Sequence, residues 1–272
     1  MRDKRANLED VVASVADGAS VALGGNTLHR APCAFVHELV RQQKRDLTVI
    51  KTAASYDVDL LAGSGVITRA EVAFVGFENV FGLAPRYRHA VETGALQLKE
   101  HACYSVISGL RAAAQGVPFM PIAGMFGSDV VERSGFRSLT DPYTGQSVVT
   151  VPAIRPDVAV VHVQEADREG NARIYGTRFE DVLIAQAAQR VIVTCERIVD
   201  GSLLAARPEM TAIPGYLVEA VVEAPRGAWP LSCADEYDYD HDYLAAYIRA
   251  AQDDAAYADF IAAHILAPAA AL

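Results

Sequence analysis

The apolar and polar positions of the chain follow two alternating periods. Apolar residues at helical spacing run from Leu8 to Ala16, and the segment DGASVALGG then reads as a short strand that ends at two glycines. PCAFVHELVRQQ opens with a proline, as the first turn of a helix often does, and DLTVIKTA is apolar enough for a buried strand. Together these segments predict a β-α-β unit.

The same alternation continues to Gly124 and resumes after Thr150. The further predicted helices are VDLLAGSG, LAPRYRHAVETG, CYSVISGLRAAAQG and FEDVLIAQAAQR. The further predicted strands are EVAFVGF, LQLKEH, PFMPIAG, PDVAVVHVQEAD, VIVTCERIV and YLVEAVVEAP. Strands that alternate with helices of this length predict an α/β protein with an open, mostly parallel sheet and helices on both faces.

Two regions depart from this alternation. The segment from Met125 to Thr150 has no clear period and is rich in Gly, Ser, Asp and Pro, which predicts a long loop that lines a site or an interface. The last part of the chain, from about 243 to 272, is alanine-rich and predicts a helical tail. We see no internal repeat or flexible linker and expect residues 1–272 to form a single domain.

Composition and charge narrow the function. The 272 residues are 51% hydrophobic and carry a net charge of −10, which favours a protein that acts on small molecules over one that binds nucleic acid. MRDKRANLED has no apolar signal segment, and no apolar run reaches the roughly 18 residues of a membrane span. The four cysteines lie far apart and offer no zinc template. We therefore expect a cytoplasmic location.

Common catalytic and binding motifs are missing from the sequence. It contains no phosphate-binding Gly-x-x-x-x-Gly-Lys-Ser/Thr loop, no Gly-x-Ser-x-Gly elbow and no His-Glu-x-x-His helix. GSG at residues 63–65 is better explained as a helix cap, and His162 as a core histidine of a strand. DEYDYDHDY lacks the glycine and distal glutamate of a calcium loop and is interpreted as a solvated segment.

Two stretches carry chemical information. DGASVALGGNTLHRAP is predicted to run from a strand into Gly24 and Gly25, at the carboxyl end of that strand, where parallel sheets bind their ligands. A tight turn without a ligand explains the two glycines equally well. VGFENVFGLAP places one carboxylate, Glu78, in an otherwise apolar run punctuated by glycine. An unpaired carboxylate between Phe77 and Phe81 would be costly to bury, although a solvated loop residue or a first-turn helix charge is also possible.

The first of these stretches resembles a signature of the family I coenzyme A transferases. The shared order is Asp-Gly, two residues, three apolar residues, Gly-Gly and a later proline, with Asn26 where that family usually has phenylalanine and Arg30 where it has glycine. The segments 156–199 and 213–244 resemble the α subunits of this family, of the glutaconate CoA-transferase type. The resemblance implies a homologous β subunit within a heterodimer or heterotetramer whose active site lies at the subunit interface. It also implies coenzyme A as a substrate, and no metal or permanently bound cofactor.

The resemblance further implies a mechanism. A glutamate attacks an acyl-CoA thioester and forms a mixed anhydride, then a glutamyl-CoA thioester, and finally passes CoA to a carboxylic acid. That glutamate usually belongs to the β subunit, in a motif to which FENVFGLAP is similar. Glu78 is therefore the nucleophile, a residue that faces the partner's nucleophile, or a loop charge retained with the fold. Asn79 would orient Glu78 or donate a hydrogen bond to the oxyanion.

Other residues are weaker candidates. The candidates for donors to the oxyanion, or for contacts with the acyl group, are Gly24, Gly25 and Asn26. The mouth of the same active site would be lined by Gly127 and Ser128. Glu100, beside His101, lies in a region where related hydrolases use an acidic residue, although an exposed charge at a strand end is the simpler explanation. Candidates for a substrate carboxylate or the CoA phosphates are Arg30, Arg86 and Arg88, and ion pairs on the surface of an acidic protein are an equal explanation for all three. The alternatives to a transferase are a CoA-thioester hydrolase, a ring-cleaving hydrolase, or a non-catalytic subunit that completes a partner's site.

Overall fold

The computed structural model describes residues 2–267 and shows an α/β architecture. In chain order, the strands are β1 (Ser20–Leu23), β2 (Leu47–Ala54), β3 (Ile67–Val75), β4 (Gln97–Glu100), β5 (Phe119–Ile122), β6 (Arg137–Thr140), β7 (Ser147–Pro152), β8 (Val158–Asp167), β9 (Ala172–Arg173), β10 (Arg190–Val199), β11 (Thr211–Ile213) and β12 (Ala220–Glu223). The α-helices are α1 (Leu8–Ala13), α2 (Cys33–Arg41), α3 (Tyr56–Gly63), α4 (Glu78–Phe81), α5 (Pro85–Glu92), α6 (Cys103–Ala114), α7 (Val130–Arg133), α8 (Asp181–Ala187), α9 (Gly201–Ala205), α10 (His241–Ala250) and α11 (Asp254–Ile261). Short 3₁₀ turns cover Pro208–Met210 and Gly215–Leu217, and a π-helical turn covers Ala262–Leu266.

The main sheet is open and mostly parallel. Its parallel strands follow the spatial order β12-β10-β8-β1-β2-β3-β4. On the side of β8 that faces β1, the short strand β9 pairs antiparallel with β8 beyond the end of β1, and β11 pairs with β9. The predicted open, mostly parallel sheet is confirmed.

Helices cover both faces of this sheet. Alternate strand residues point to opposite faces, so Val21 and Leu23 join one apolar core while Ala22 joins the other. The first core packs under α1, α2, α3, α5, α10 and α11, and the second under α6 and α8. Both faces of β8 are covered, which explains its nearly continuous apolar sequence.

The prediction of a long loop from Met125 to Thr150 is wrong. This region contains α7, β6 and β7, and β6 and β7 form an antiparallel sheet with β5. PFMPIAG, expected to continue the parallel sheet, therefore belongs to the smaller one. The turn residues in this region serve the β6–β7 connection, where the Asp141 N–H donates to the carbonyl of Gln146 at 2.8 Å. Each of these strands is too short for its alternation of apolar and polar residues to be recognised in the sequence. The alternation is nevertheless present in β7, where Val149 and Val151 are fully buried.

The C-terminal helices pack on the core rather than project from it. Tyr247 of α10 is completely buried and stacks edge-on against Tyr56, with ring centroids 4.8 Å apart. Tyr257 and Phe260 of α11 belong to the same apolar core. Residues 268–272 of the predicted helical tail lie outside the described residues. The single domain over residues 1–272 stays a prediction.

A buried carboxylate joins three of these helices. Asp59 of α3 accepts a hydrogen bond from the Tyr87 N–H in the first turn of α5 at 2.7 Å, and another from the Tyr247 hydroxyl of α10 at 2.8 Å. Burial raises the pKa of Asp59 to about 6, although both hydrogen bonds act in the opposite direction. Asp59 thereby fixes α5, which directly follows the segment that carries Glu78.

A buried ion pair joins the two halves of the main sheet at its centre. The Arg30 guanidinium, after β1, lies 2.5 Å from the Asp181 carboxylate at the start of α8, and the two side chains are 3% and 0% exposed. Arg30 also donates to the His162 carbonyl of β8 at 2.7 Å, and Asp181 accepts from the Gly25 N–H at 2.9 Å. The pair thus ties the loop after β1 to the half of the sheet built around β8.

Asp59 predicts a pH-dependent stability. Its carboxyl titrates near 3.8 in the unfolded chain and near 6 in the folded protein, so its contribution is fully present below about pH 4 and is lost as the pH rises through 6. We expect Asp59→Asn, which lacks this titration, to gain about 3 kcal/mol relative to the native protein between pH 4 and 7. Urea unfolding of both proteins across this range measures the difference, and a constant difference would contradict the assignment.

The Arg30–Asp181 pair predicts a large loss of stability when one partner is removed. Asp181→Ala leaves a buried guanidinium without its counter-ion and the Gly25 N–H without its acceptor, so we expect about 3 to 5 kcal/mol of destabilisation in urea unfolding. Glu92→Ala is the matched control, because it breaks an ion pair with Arg88 in which both side chains are 60% exposed. We expect little measurable change there. Equal losses in both variants would overturn the proposed importance of the buried pair.

Candidate functional site

The strand order predicts where a ligand binds. From β1 the chain builds the sheet outward through β2, β3 and β4, whereas β8, β10 and β12 extend it in the other direction. The direction reverses between β1 and β8, and the crevice outside the carboxyl ends of strands at such a point is the usual ligand site of open α/β sheets. The loop that follows β1, residues 24–30, lies at this position.

The double glycine in this loop satisfies a packing requirement. A Cβ atom on Gly24 would overlap the Asp181 carboxylate, and one on Gly25 would overlap the His29 carbonyl. The Gly24 N–H donates to the Val160 carbonyl at 2.8 Å and the Gly25 N–H to Asp181 at 2.9 Å. Both N–H groups are therefore engaged inside the chain, and their predicted role as oxyanion donors would require these bonds to open.

Asn26 is better placed to meet a ligand. Its backbone N–H and carbonyl both pair with His29, each at 2.8 Å. The side chain is half-buried, and its amide makes no hydrogen bond to any residue in the part of the chain that the structure describes. The amide is thus available at the switch point, and its role as a donor to the substrate stays a prediction.

Glu78 lies at the carboxyl end of β3 in an unusual backbone conformation. It begins α4 with φ of +55°, in the left-handed region that non-glycine residues seldom adopt. Phe77 just before it is fully buried, and its N–H donates to the Gly82 carbonyl at 2.6 Å. The Glu78 side chain is exposed, so the cost of burial invoked from the sequence does not apply in this chain.

The Glu78 carboxylate is held by a residue that the sequence reasoning missed. The Thr27 hydroxyl donates a short hydrogen bond to Oε1 of Glu78. Thr27 lies inside the glycine-rich stretch after β1, and its partner is 51 residues further along the chain. The only sequence signal for Thr27 is a hydroxyl immediately after a predicted strand-end turn.

Asn79 is adjacent to Glu78 but does not contact its carboxylate. The Asn79 side chain is exposed, and within residues 2–267 no hydrogen bond joins it to Glu78. The predicted orienting contact is therefore not formed in this chain. Donation from its amide to an oxyanion stays a prediction.

The three arginines predicted to meet substrate anions are occupied within the chain. Arg30 forms the buried pair with Asp181. Arg86 lies 2.5 Å from Asp254 and 4.3 Å from the Tyr257 ring centre, where it fastens α11 to α5. Arg88 pairs with Glu92 on the exposed face of α5. Contacts of any of them with substrate stay predictions and would require these pairs to break.

Glu100 and His101 lie at the end of β4, the outermost strand of the main sheet. The Glu100 side chain is exposed and forms no ion pair with another residue that the structure describes. His101 is buried, with Nδ1 2.9 Å from the Ser105 hydroxyl and Nε2 3.3 Å from the Glu71 carboxylate. The arrangement gives His101 a packing role and leaves Glu100 free.

Gly127 and Ser128 belong to the turn that leads into α7. Both are exposed, and the Ser128 hydroxyl accepts a hydrogen bond from the Val130 N–H at 3.2 Å. Among the described residues, no hydrogen bond or ion pair connects this turn with Thr27 or Glu78. Their predicted place at the mouth of the site is not tested by the contacts of a single chain.

A second carboxylate lies near the end of β2. Glu180 accepts a hydrogen bond from the Thr52 hydroxyl at 2.8 Å, and the Cys103 thiol lies 3.9 Å from the Thr52 carbonyl. Burial, and then the negative charge of Glu180, raise the pKa of Cys103. The thiol is therefore less ionised than an ordinary cysteine, and this contact is best explained as packing between β2, α6 and α8.

His162, Glu196 and Cys233 lie close enough to suggest a metal site, since their ligand atoms are within 4.8 Å of one another. His162 Nε2 is already 2.8 Å from Glu196, which also accepts hydrogen bonds from the Tyr237 hydroxyl and the Arg226 N–H. Internal hydrogen bonds thus account for the proximity, in agreement with the interpretation of His162 as a core residue.

In the described part of the chain, no helix is both long and apolar enough to cross a membrane.

Comparisons with known proteins agree on one family. The family model for coenzyme A transferase matches residues 5–224. A glutaconate CoA-transferase chain of Acidaminococcus fermentans is 36% identical over 88% of this chain and 81% of its own length. A cholesterol ring-cleaving hydrolase IpdA subunit of Rhodococcus jostii is 33% identical over 97% of this chain and 92% of its own length.

The relatives differ in length from this chain, and a solved structure shares its fold. An uncharacterized protein of Archaeoglobus fulgidus is 36% identical over 91% of this chain, which spans only 56% of that relative. The crystal structure of glutaconate coenzyme A-transferase from Acidaminococcus fermentans superposes with a TM-score of 0.94 and 33% identity, over 98% of this chain and 90% of that one. The sequence, the fold and these matches agree, and the protein belongs to the coenzyme A transferase family.

Proposed function

We propose that this chain is one half of a two-subunit CoA-transferase that moves CoA from an acyl-CoA to a carboxylic acid, with Glu78 as the nucleophile. The observation that supports this role is the placement of the Glu78 carboxylate. It is exposed at the carboxyl end of β3, and Thr27 holds its Oε1. Oε2 receives no hydrogen bond from the residues the structure describes, so it is free to attack.

The reaction proceeds without a net change in protons. Oε2 of Glu78 attacks the thioester carbonyl, the CoA thiolate leaves, and an acyl-glutamyl anhydride forms. The thiolate then attacks the glutamyl carbonyl, which releases the donor acid and leaves a glutamyl-CoA thioester. An acceptor carboxylate repeats the two steps in reverse, so that a new acyl-CoA departs and the Glu78 carboxylate is regenerated.

Asn26, in the loop after β1, and Asn79, beside Glu78, carry the side-chain amides that would donate to the oxyanion. A donor aimed at the developing oxyanion stabilises each tetrahedral intermediate. The acyl-enzyme forms must also be kept from water, and this chain alone leaves Glu78 exposed. A partner subunit is needed to supply that cover.

Apolar side chains around Glu78 support such a partner. Phe74, Val80 and Leu83 flank it on the same strand end and loop, and they are 42%, 39% and 64% exposed. Apolar surface clustered beside a polar site is typical of an interaction surface. We propose that a homologous β subunit covers it, since two related chains are themselves subunits, one of glutaconate CoA-transferase and one of 3-oxoadipate CoA-transferase.

Hydrolysis is a second candidate function, favoured by the 33% identity to the ring-cleaving hydrolase subunit. The exposed, unpaired Glu100 carboxylate would then activate water. A hydrolase releases free CoA from an acyl-CoA when no acceptor acid is present, whereas a transferase does not turn over under those conditions. Loss of that release in Glu100→Gln, with CoA transfer absent, would favour hydrolysis.

Covalent trapping tests the transferase proposal. The complex of this chain with its co-expressed partner is incubated with a panel of acyl-CoA thioesters, treated with borohydride or hydroxylamine, and analysed by mass spectrometry. We expect the modification on Glu78. A modification found only on a glutamate of the partner would contradict the nucleophilic role.

Substitution provides the matching kinetic test. Glu78→Gln keeps the shape of the side chain but removes the nucleophile, so we expect kcat to fall by a factor on the order of 10³ or more. Glu92→Gln is the control, because it changes another exposed carboxylate, on α5. Unchanged turnover in Glu78→Gln, in a complex that assembles normally, would show that this chain only completes a partner's site.

A further inference from the structure

A cleft opens beside the loop that follows β1, at the switch point between β1 and β8. It has a volume of about 360 Å³, near the lower end of the range for small-molecule pockets. Its lining consists of His29, Arg30, Tyr175, Gly176, Thr177, Phe179, Ser232 and Ala234. None of these lining residues is an aspartate or a glutamate, although the chain as a whole has a net charge of −10.

The carboxylates behind the cleft are already paired. Asp181 lies 2.5 Å from the Arg30 guanidinium, and Glu165 lies 3.0 Å from the Arg197 guanidinium. Glu165 also accepts a hydrogen bond from the Tyr175 hydroxyl at 2.7 Å. A small anion that enters the cleft therefore meets apolar and neutral polar walls rather than a free carboxylate.

His29 offers one fixed donor to such an anion. Its Nδ1 lies 2.7 Å from the Ser232 hydroxyl oxygen, and its ring stacks on Phe179 with the centroids 6.3 Å apart and the planes 12° from parallel. The side chain is exposed, and Nε2 makes no hydrogen bond to any residue that the structure describes. Nε2 carries a proton both in the neutral tautomer whose Nδ1 accepts from Ser232 and in the imidazolium. The ring is thus held from two sides while Nε2–H stays available.

His29 also lies beside Asn26, the proposed donor to the oxyanion. The two residues exchange both backbone hydrogen bonds, each at 2.8 Å, and so form an antiparallel pair. In such a pair the two side chains project from the same side, with their Cβ atoms about 5 Å apart. A thioester carbonyl bound by the Asn26 amide therefore has its acyl chain next to His29 and the cleft.

We infer that the cleft holds the acyl chain and that His29 Nε2 donates to a carboxylate at the far end of that chain. The preferred substrates are then CoA thioesters of short dicarboxylic acids. This inference rests on the proposed CoA-thioester chemistry, but it does not depend on which subunit supplies the nucleophile. His29 determines specificity and takes no part in bond making. A hydrogen bond to a charged group of this kind changes kcat/KM by a factor of about 10 to 100.

Two acyl-CoA probes of equal chain length provide the test in the assembled two-subunit complex. Glutaryl-CoA ends in a carboxylate and pentanoyl-CoA in a methyl group. Consumption of each thioester, with acetate as the acceptor acid, is followed by liquid chromatography and mass spectrometry, which detects transfer and hydrolysis alike. We expect the native complex to favour glutaryl-CoA in kcat/KM by a factor of about 10 to 100.

Variants of His29 assign this preference to one atom. His29→Phe keeps a ring against Phe179 but has no Nε2–H, so we expect kcat/KM for glutaryl-CoA to fall by about 10- to 100-fold with little change for pentanoyl-CoA. His29→Gln places an amide N–H near the position of Nε2, and we expect it to retain part of the preference. Identical losses in the two variants would contradict the role of Nε2–H.

His89→Phe is the matched control, because it replaces an exposed histidine of α5, which does not line the cleft. We expect kcat/KM for both probes to match the native complex. Thermal unfolding of the complexes checks that His29→Phe retains its structure, and its activity on pentanoyl-CoA provides a second check on folding.

The outcomes separate this inference from the proposed function. A native complex that converts acyl-CoA thioesters without preference for glutaryl-CoA overturns the inference, while the proposed function stands. Equal losses for both probes in His29→Phe also overturn it, because they would indicate packing rather than recognition of a carboxylate. Failure of the native complex to convert any acyl-CoA thioester removes the proposed function, and the inference with it.

Discussion

The buried ion pair between Arg30 and Asp181 is the contact on which the arrangement of the site depends. It lies between β1 and β8, where the two halves of the main sheet meet, and it bonds to backbone groups on both sides. A charge with so little exposure is tolerated only when it is paired and hydrogen-bonded. The pair therefore fixes the path of residues 24–30 and gives Gly24 its packing requirement.

Local strain forms the second level of organisation. Thr27 and Glu78 both have left-handed backbone conformations. The Thr27 N–H donates to the Ala53 carbonyl of β2, and the N–H of Gly76, two residues before Glu78, donates to the Ala54 carbonyl of the same strand. Strained residues of this kind persist where the surrounding structure determines them fully, and they are common at functional sites. The site carboxylate is thus rigidly held although its side chain is exposed to solvent.

Several sequence-based predictions depended on the partners of charged side chains, and these could not be read from the chain. Arg30 and Arg86 were predicted to meet anionic groups of the substrate, but their carboxylate partners, Asp181 and Asp254, lie 151 and 168 residues away. The supposed cost of burying Glu78 likewise depended on packing, and the structure leaves that side chain exposed. An arginine in a glycine-rich loop has the same sequence signal whether it binds a substrate or a buried aspartate.

The sequence by itself determined the parallel strands of the main sheet, though not the short strands β9 and β11, because apolar periodicity and strand-end glycines are local properties of the backbone and its side chains. It also contained the family resemblance and marked Glu78. Only the tertiary structure decided that residues 125–150 include an antiparallel hairpin and that Thr27 meets Glu78. These features depend on contacts between residues far apart in the chain, which the topology of the sheet brings together and which no local pattern encodes.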